Sequence, residues 1–253
     1  MKDTASLFDL SGKVALVTGG SRGLGREMVL AFAGAGADVV IASRKLESCE
    51  AVAKEVEALG RRALPVGCHV GQWDQVEALA ERSYQHFGRI DVLVNNAGMS
   101  PTYERVDALG EALWDKVLDV NLKGPFRLSA LVGTRMAAGD GGSIVNVSSI
   151  AAVRPTPDVI PYAAAKAGLN AITRAFAFAF GPKVRVNCIR AGPFYTDISK
   201  AWDLEAFERR ARASMALRRG GQPGEVVGAA LYFASEASSF TTGSILAVDG
   251  GTP

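Results

Sequence analysis

The sequence predicts an α/β fold in which a parallel β-sheet is doubly wound, with helices on both faces. Short apolar runs typical of buried strands recur along the 253 residues, and helix-like stretches of ten or more residues separate most of them. No linker, repeat or shift of composition divides the chain. Strands that alternate with helices are joined by right-handed crossovers, which makes neighbouring strands parallel. We therefore expect one domain over residues 1–253.

The predicted elements follow this alternation up to about residue 190. Six apolar runs bounded by turn-forming or polar residues predict strands: VALVT, ADVVIAS, RALPVG, IDVLVNNAG, GSIVNVSS and VRVNCI. The predicted helices cover residues 26–35, 46–59, 73–87, 109–138 and 162–180. A polar, helix-like segment at about 194–221 follows the sixth strand, a position that suits a lid over a site.

Composition excludes several classes of function. The formal net charge of +2, without a cluster of Lys and Arg, argues against a nucleic-acid partner. Cys49, Cys68 and Cys188 are widely spaced and form no CxxC, and the two histidines are isolated, which argues against disulfides and a metal site. No signal peptide or apolar run of about 18 residues is visible, so we expect a cytoplasmic protein without a membrane partner.

A glycine-rich turn, TGGSRGLG, lies between the first predicted strand and the first helix. Its glycines allow a tight turn and a close approach to a pyrophosphate, whose charge free N–H groups at the helix start would meet. This arrangement is typical of a Rossmann-type dinucleotide site; the alternative is a turn without a ligand. The residues expected to contact the cofactor are Gly19, Ser21, Arg22, Gly23, Leu24 and Gly25.

The end of the second strand bears on which dinucleotide binds. A carboxylate there would accept hydrogen bonds from an unmodified ribose, but Ser43 and Arg44 occupy the position. Arg44, with Arg22 as a second cation, is suited to a 2′-phosphate. The alternative is that Arg22 and Arg44 are exposed to solvent and bind no ligand. The absence of a carboxylate at the end of the second strand favours NADP(H).

Three further motifs complete a pattern: NNAG at residues 95–98, NVSS at 146–149 and YAAAK at 162–166, with DGG at 249–251. With TGGSRGLG, and with a serine thirteen residues before the tyrosine, the chain resembles the classical short-chain dehydrogenase/reductase family over nearly its whole length. The resemblance implies hydride transfer between a nicotinamide cofactor and a carbonyl or alcohol.

The residue types fit that chemistry. Tyr162 and Lys166 are four apart and share a helix face, and a nearby cation lowers the pKa of a phenol. Tyr162 would then act as acid or base, while Ser149 hydrogen-bonds the substrate oxygen. The resemblance implies these roles and adds Asn121, in DVNLKG, as the holder of a water that relays protons to Lys166. The alternative is that Tyr162 and Lys166 are structural, with the ring packed and the amine reaching solvent. Ser149 is assigned rather than Ser148 only because its spacing from the tyrosine matches the family.

The resemblance also assigns further cofactor contacts. It places Asn95, Ala97 and Gly98 along the adenine ribose and pyrophosphate, Lys166 at the nicotinamide ribose and Thr196 at the carboxamide. The chain departs from the family at two points. His69 stands where the family usually has an Asp or Asn whose side chain contacts adenine, so only the Val70 backbone remains for that contact. After the sixth strand, Ala191 and Gly192 stand where the family has a Pro-Gly pair.

These features predict an NADPH-dependent reductase of ketones, aldehydes or 3-oxoacyl thioesters. A 3-oxoacyl-(acyl-carrier-protein) reductase and a broad carbonyl or sugar-alcohol dehydrogenase remain open. A carrier protein would need a basic patch, for which the lid segment offers Arg209, Arg210, Arg212, Arg218 and Arg219. A dinucleotide-binding sensor without catalysis is the alternative from another class. The resemblance implies a homotetramer or homodimer formed through the helices of DVNLKG and YAAAK.

Overall fold

The computed structural model describes residues 5–197, 199 and 203–253. Within these residues, seven strands form one sheet in the order β3-β2-β1-β4-β5-β6-β7, and every neighbouring pair is parallel. The strands are β1 Val14–Thr18, β2 Asp38–Ser43, β3 Ala63–Gly67, β4 Val92–Asn95, β5 Gly142–Ser149, β6 Val184–Ala191 and β7 Ile245–Val248. The predicted doubly wound, Rossmann-type sheet is confirmed.

Helices cover both faces of this sheet. They are α1 Gly23–Gly34, α2 Leu46–Ala58, α3 Trp73–Phe87, α4 Glu111–Leu118, α5 Gly124–Ala138, α6 Ile160–Phe180, α7 Leu204–Ser214 and α8 Val227–Ala234. The chain runs outward from β1 to β3 and then crosses back to β4 on the other side of β1. At such a reversal the connections after adjacent strands diverge, which opens a crevice at the carboxyl edge of the sheet.

The core has two layers because side chains alternate along each strand. In β1, Val17 packs in a buried cluster with Phe32 and Phe233, from α1 and α8. Leu16, on the opposite face, packs in a second cluster with Leu79 and Leu128, from α3 and α5. This burial on both faces accounts for strands that are almost continuously apolar.

The structure differs from the sequence prediction at three places. β7 and α8 were not predicted; β7 is only four residues long and is partly exposed, so its pattern is weak. The helix predicted over 109–138 is interrupted by a π-helical turn at Asp119–Lys123, which contains Asn121. π-turns often occur at functional sites.

The lid segment is defined in part. Phe194 forms an isolated bridge with Gly221, so both ends of the segment lie together, and α7 occupies its middle. Residues 198 and 200–202 lie outside the described residues. Within the described part of the chain, no helix is both long and apolar enough to span a bilayer.

Candidate active site

A cavity of about 640 Å³ lies at the carboxyl edge of the sheet, where the connections diverge. Its lining includes the residues that end or directly follow strands: Gly19 after β1, Ser43 in β2, Asn96 after β4, Ser149 in β5 and Ala191 in β6. Five strands thus deliver side chains or backbone to one cleft, whose size is ordinary for a small-molecule or cofactor site.

The glycine-rich turn forms one wall of the cavity. Gly19 and Gly23 adopt positive φ angles of 66° and 53°, which favour glycine. A methyl group on Gly25 would overlap the Gly19 carbonyl oxygen, so this glycine permits α1 to pack against the turn. Arg22, the N-cap of α1, makes no side-chain cap, and the start of the helix borders the cavity. Uncapped N–H groups and the helix dipole suit an anion such as a pyrophosphate.

Asn96 holds this turn in place. Its Nδ2 donates to the carbonyl oxygens of Thr18 at 3.0 Å and Gly19 at 3.2 Å. In return, Thr18 Oγ1 accepts from the backbone N–H groups of Asn96 and Ala97. Asn96 was not predicted, although it lies inside NNAG, because a motif does not show which of two adjacent amides faces the cleft.

Asn95, the predicted cofactor contact in the same motif, faces away from the cleft. It is 2% exposed and does not border the cavity. Its Nδ2 donates to Ser129 Oγ at 2.9 Å and to Asn146 Oδ1 at 2.8 Å, which ties β4 to α5 and β5. The Asn95 side chain is therefore turned away from the predicted cofactor path, because successive strand residues point to opposite faces and the buried polar network occupies this amide.

At the other end of the cleft, the second strand ends without a carboxylate. Arg44 is exposed and borders the cavity, and Ser43 Oγ lies 3.3 Å from the Lys45 carbonyl oxygen. Arg22 Nη1 lies 3.4 Å from Asp197 Oδ2, an exposed contact. His69 and Val70 also border the cavity, and His69 Nδ1 accepts from the Gly71 N–H. At the end of β2, the adenine ribose of a bound dinucleotide would therefore meet the Arg44 cation and no carboxylate.

The serine pair at the end of β5 divides between two tasks. Ser148 Oγ donates to the Lys166 carbonyl oxygen at 3.2 Å, which anchors α6 to the sheet. The Ser149 side chain hydrogen-bonds Tyr162, and its Oγ also accepts from the Ala151 N–H at 3.2 Å. The geometry therefore places Ser149 rather than Ser148 beside the phenol, a choice that the residues alone left open.

The Tyr162–Lys166 pair lies on α6 as predicted, but its electrostatics differ from the expectation. Lys166 Nζ donates to the Val147 carbonyl oxygen at 2.7 Å and lies 5.7 Å from the centre of the Tyr162 ring. Burial raises the pKa of Tyr162, and the hydrogen bond from Ser149 opposes this only in part. Burial also lowers the pKa of Lys166 to about 8. The expected lowering of the phenol pKa is thus reversed, because desolvation outweighs a cation engaged elsewhere.

Asn121 is fully buried behind the cavity and does not border it. Its Nδ2 donates to the carbonyl oxygens of Met99 and Val117, both at 2.9 Å, and its Oδ1 accepts from the Met99 N–H at 3.3 Å. A methyl group on Gly98 would lie 2.9 Å from Asn121 Oδ1 and 3.6 Å from Lys166 Nζ. Asn121 and Lys166 therefore approach the same point of the backbone, where only glycine leaves room.

The chain is similar to known proteins over nearly its whole length. A family model described as enoyl-(acyl carrier protein) reductase matches residues 19–253. Human dehydrogenase/reductase SDR family member 4 is 35% identical over 246 residues, which cover 96% of this chain and 88% of that protein. The chain belongs to the short-chain dehydrogenase/reductase family.

Other members of the short-chain dehydrogenase/reductase family are similar over their whole length. The 3-oxoacyl-(acyl-carrier-protein) reductase FabG of Thermotoga maritima is 38% identical over 243 residues, covering 96% of this chain and 98% of that protein. A solved 3-oxoacyl (acyl-carrier-protein) reductase from Agrobacterium tumefaciens with NADP bound is 33% identical, with a TM-score of 0.92 over 99% of this chain and 98% of its own. A 7α-hydroxysteroid dehydrogenase complexed with NADH is 32% identical, with a TM-score of 0.93 over 100% and 98%.

Most residues predicted from the short-chain dehydrogenase/reductase pattern meet at the cavity, and three do not. Gly25, Asn95 and Asn121 lie behind its wall. The predicted residues that border it are Gly19, Ser21, Arg22, Gly23, Leu24, Ser43, Arg44, His69, Val70, Ala97, Gly98, Ser149, Tyr162, Lys166, Gly192 and Thr196.

Two further segments border the cavity beside Tyr162, residues 99–103 and 150–160, which we call the loop pair. The Tyr103 hydroxyl joins them, donating to the Pro157 carbonyl oxygen at 2.5 Å and accepting from the Ile160 N–H at 3.2 Å. Ile160 begins α6, so the same hydroxyl satisfies a free N–H at the start of the helix that carries Tyr162. No motif in the sequence predicted this contact, which joins residues more than fifty positions apart.

Proposed function

We propose that the protein is an NADP(H)-dependent oxidoreductase that transfers a hydride between the nicotinamide and a carbonyl or secondary-alcohol substrate. The observation that carries the proposal is that Ser149, Tyr162 and Lys166 share the wall of the cavity into which the glycine-rich turn opens. The bound nicotinamide would supply or accept the hydride. Ketones, aldehydes and 3-oxoacyl thioesters are the candidate substrates.

The proposed roles follow from the position of each hydroxyl and amine. The Ser149 hydroxyl is available to hydrogen-bond the substrate oxygen as negative charge develops on it. The Tyr162 hydroxyl, kept protonated by its raised pKa, donates its proton to that oxygen during reduction. Lys166 would return a proton to the phenol. Both Nδ2 protons of Asn121 are donated to backbone carbonyls, and Oδ1 accepts from the Met99 N–H, so only a second lone pair of Oδ1 remains to accept from a relaying water.

One feature of the chain supports NADP(H) over NAD(H), and two others suit the pyrophosphate that both cofactors share. The glycine-rich turn and the uncapped start of α1 suit the pyrophosphate. Arg44, exposed at the end of β2 where a carboxylate would repel a phosphate, suits the 2′-phosphate. Since one similar structure has NADP bound and another NADH, the fold accepts both, and only Arg44 distinguishes them in this chain.

Between a small carbonyl substrate and a carrier-bound thioester, the lid charges favour the small molecule. On α7, Arg209 and Arg212 pair with Glu205 and Glu208 one turn away. Arg219 likewise forms two hydrogen bonds with Glu225. These acids neutralise much of the basic patch that an acidic carrier protein would need. The 3-oxoacyl-(acyl-carrier-protein) reductase remains the second candidate because relatives of that name are similar in sequence and structure.

The decisive experiment follows NADPH absorbance with a panel of ketones, aldehydes and a 3-oxoacyl thioester. We expect turnover by the natural chain, and a loss of at least a thousandfold in kcat for Tyr162→Phe, which removes only the hydroxyl. NADPH affinity, measured by fluorescence, should stay within several-fold in that variant. Full activity in Tyr162→Phe would refute the proposed proton donor. Tight NADPH binding without turnover of any substrate would instead support a dinucleotide sensor.

A further inference from the structure

The loop pair brings a carboxylate to the edge of the cavity that the proposed chemistry does not use. Asp158 borders the cavity, is exposed, and lies in the short helical turn Pro157–Val159 just before α6, four residues before Tyr162. The residue before it, Pro157, and Ile160 two residues after it hydrogen-bond the Tyr103 hydroxyl. Asp158 therefore stands on backbone that is tied to the opposite loop, beside the proposed proton donor.

Asp158 forms no ion pair within the described part of the chain. The other loop-pair residues that border the cavity are uncharged: Met99, Ser100, Pro101, Thr102, Ile150 and Val159. Of the arginines nearest in sequence, one pairs with another acid and the other does not border the cavity. Arg105 pairs with Asp107 at 2.6 Å, and Arg154 does not border the cavity. Of the other charged residues that border the cavity, Arg22 pairs with Asp197, and Lys166 is buried with its Nζ on the Val147 carbonyl oxygen. Asp158 is thus the exposed acid of the loop pair, while Arg44 is exposed at the end of β2.

We infer that Asp158 is a specificity-determining residue that selects carbonyl substrates bearing a cationic group, such as a protonated amine, over anionic ones. A carboxylate on the cavity wall attracts an ammonium and repels a carboxylate, and no other loop-pair residue that borders the cavity carries a charge. The inference rests on the proposed function and names its substrate class. Because Asp158 is exposed, the effect is moderate and weakens with salt.

Three ketones of nearly the same shape test this inference. They are 4-(dimethylamino)cyclohexanone as the cation, 4-isopropylcyclohexanone as the neutral isostere, and 4-oxocyclohexanecarboxylate as the anion. In the natural chain at low ionic strength, kcat/KM should be about tenfold higher for the cation than for the anion, with the neutral ketone between them. Raising the salt to about 0.5 M should reduce that ratio severalfold, because the Debye length shortens to a few ångströms.

Two variants locate the cause of the selectivity. In Asp158→Asn the ratio of cation to anion should fall to about one. In the control Glu57→Gln, which removes one negative charge from the exposed end of α2, the ratio should stay within about twofold of the natural chain. An unchanged ratio in Asp158→Asn would overturn the inference, and so would an equal fall in Glu57→Gln.

Failure of the inference is distinguishable from failure of the proposed function. If the neutral ketone oxidises NADPH but charge has no effect, the function stands and the role of Asp158 falls. If no ketone is turned over, calorimetric binding of the same three compounds to the NADP⁺-saturated protein and to Asp158→Asn replaces the kinetic ratio. Binding that ignores ligand charge in both proteins would then reject the role of Asp158.

Discussion

At the scale of single residues, the environment of Tyr162 and Lys166 determines in which direction each proton moves easily. A buried phenol with a raised pKa is a proton donor at neutral pH, which suits carbonyl reduction. A buried amine with its pKa lowered to about 8 gives up its proton far more readily than a solvated lysine. The pair is therefore arranged as a weak acid backed by an amine that exchanges protons near physiological pH.

This arrangement predicts the pH dependence of reduction. With saturating NADPH, kcat/KM for the ketone should be level from about pH 6 and begin to fall near 8, where Lys166 loses the proton that it returns to Tyr162. Because the pKa of Tyr162 is raised, its ionisation should add no fall below about 10. Initial rates between pH 6 and 10 measure this profile. A fall centred below pH 7 would indicate a phenol made acidic and would contradict the structure.

Arg44 predicts the cofactor preference. Arg44→Asp removes the cation available to a 2′-phosphate and adds an acid that accepts hydrogen bonds from an unmodified ribose. We expect the ratio of kcat/KM for NADPH to that for NADH to fall by about tenfold to a hundredfold, since a charge-assisted hydrogen bond contributes roughly 1.5–3 kcal/mol. Lys45→Asp is the control, because it makes the same change of charge at the adjacent residue, which does not border the cavity. Equal NADPH-to-NADH ratios in the two variants would refute binding of the 2′-phosphate by Arg44.

At the scale of an element, the glycine-rich turn packs against α1 only because Gly25 has no side chain. Gly25→Ala places a methyl group onto the Gly19 carbonyl oxygen, a backbone atom that cannot rotate away. We expect the free energy of unfolding to drop by about 1–3 kcal/mol and NADPH affinity to fall at least tenfold, because the turn must shift.

Gly34, at the other end of α1, provides the matched control for that variant. An added Cβ at Gly34 meets nothing within 4 Å. Gly34→Ala should therefore stabilise the protein by about 0.5–1 kcal/mol through helix propensity and leave NADPH affinity unchanged. Urea unfolding and fluorescence titration measure both quantities. Natural affinity in Gly25→Ala would show that close packing of α1 on the turn is not what shapes the site.

At the scale of the whole molecule, the face that carries α5 and α6 exposes large apolar groups. Phe178 of α6 is 90% exposed, and Phe126 of α5 is 41% exposed and stacks on Phe176. Exposed aromatic groups on adjacent helices are typical of a surface that another subunit covers. We therefore expect these helices to form the interface of the proposed homodimer or homotetramer.

Light scattering tests that expectation against the chain mass of 26.5 kDa. The natural protein should give two or four times this mass, and Phe178→Glu should shift it toward one chain because a buried, unpaired carboxylate is costly. Leu59→Glu is the control, since Leu59 is 51% exposed beside α2 on the opposite face of the sheet. A natural protein of single-chain mass would refute the proposed assembly, and an unchanged mass in Phe178→Glu would refute this interface.

The fold class and most residues of the candidate site were predictable from the sequence because their signals are local. Apolar runs mark strands buried on both faces, and the glycine-rich turn must follow β1 directly. Tyr162 and Lys166 share a face because four residues make about one helical turn. β7 escaped prediction because four partly exposed residues carry too little pattern, and the π-turn at Asp119–Lys123 because it differs from an α-helix only in its hydrogen bonds.

The sequence by itself determined a doubly wound sheet, a dinucleotide turn and a tyrosine and lysine on one helical face. Only the tertiary structure decided that Ser149 rather than Ser148 meets the phenol, and that Asn95 is buried while Asn96 holds the turn. It also decided that burial raises the pKa of Tyr162. The physical reason is that desolvation and hydrogen-bond partners depend on residues far apart in the chain, such as Asn95 and Asn146, and local spacing carries no record of them.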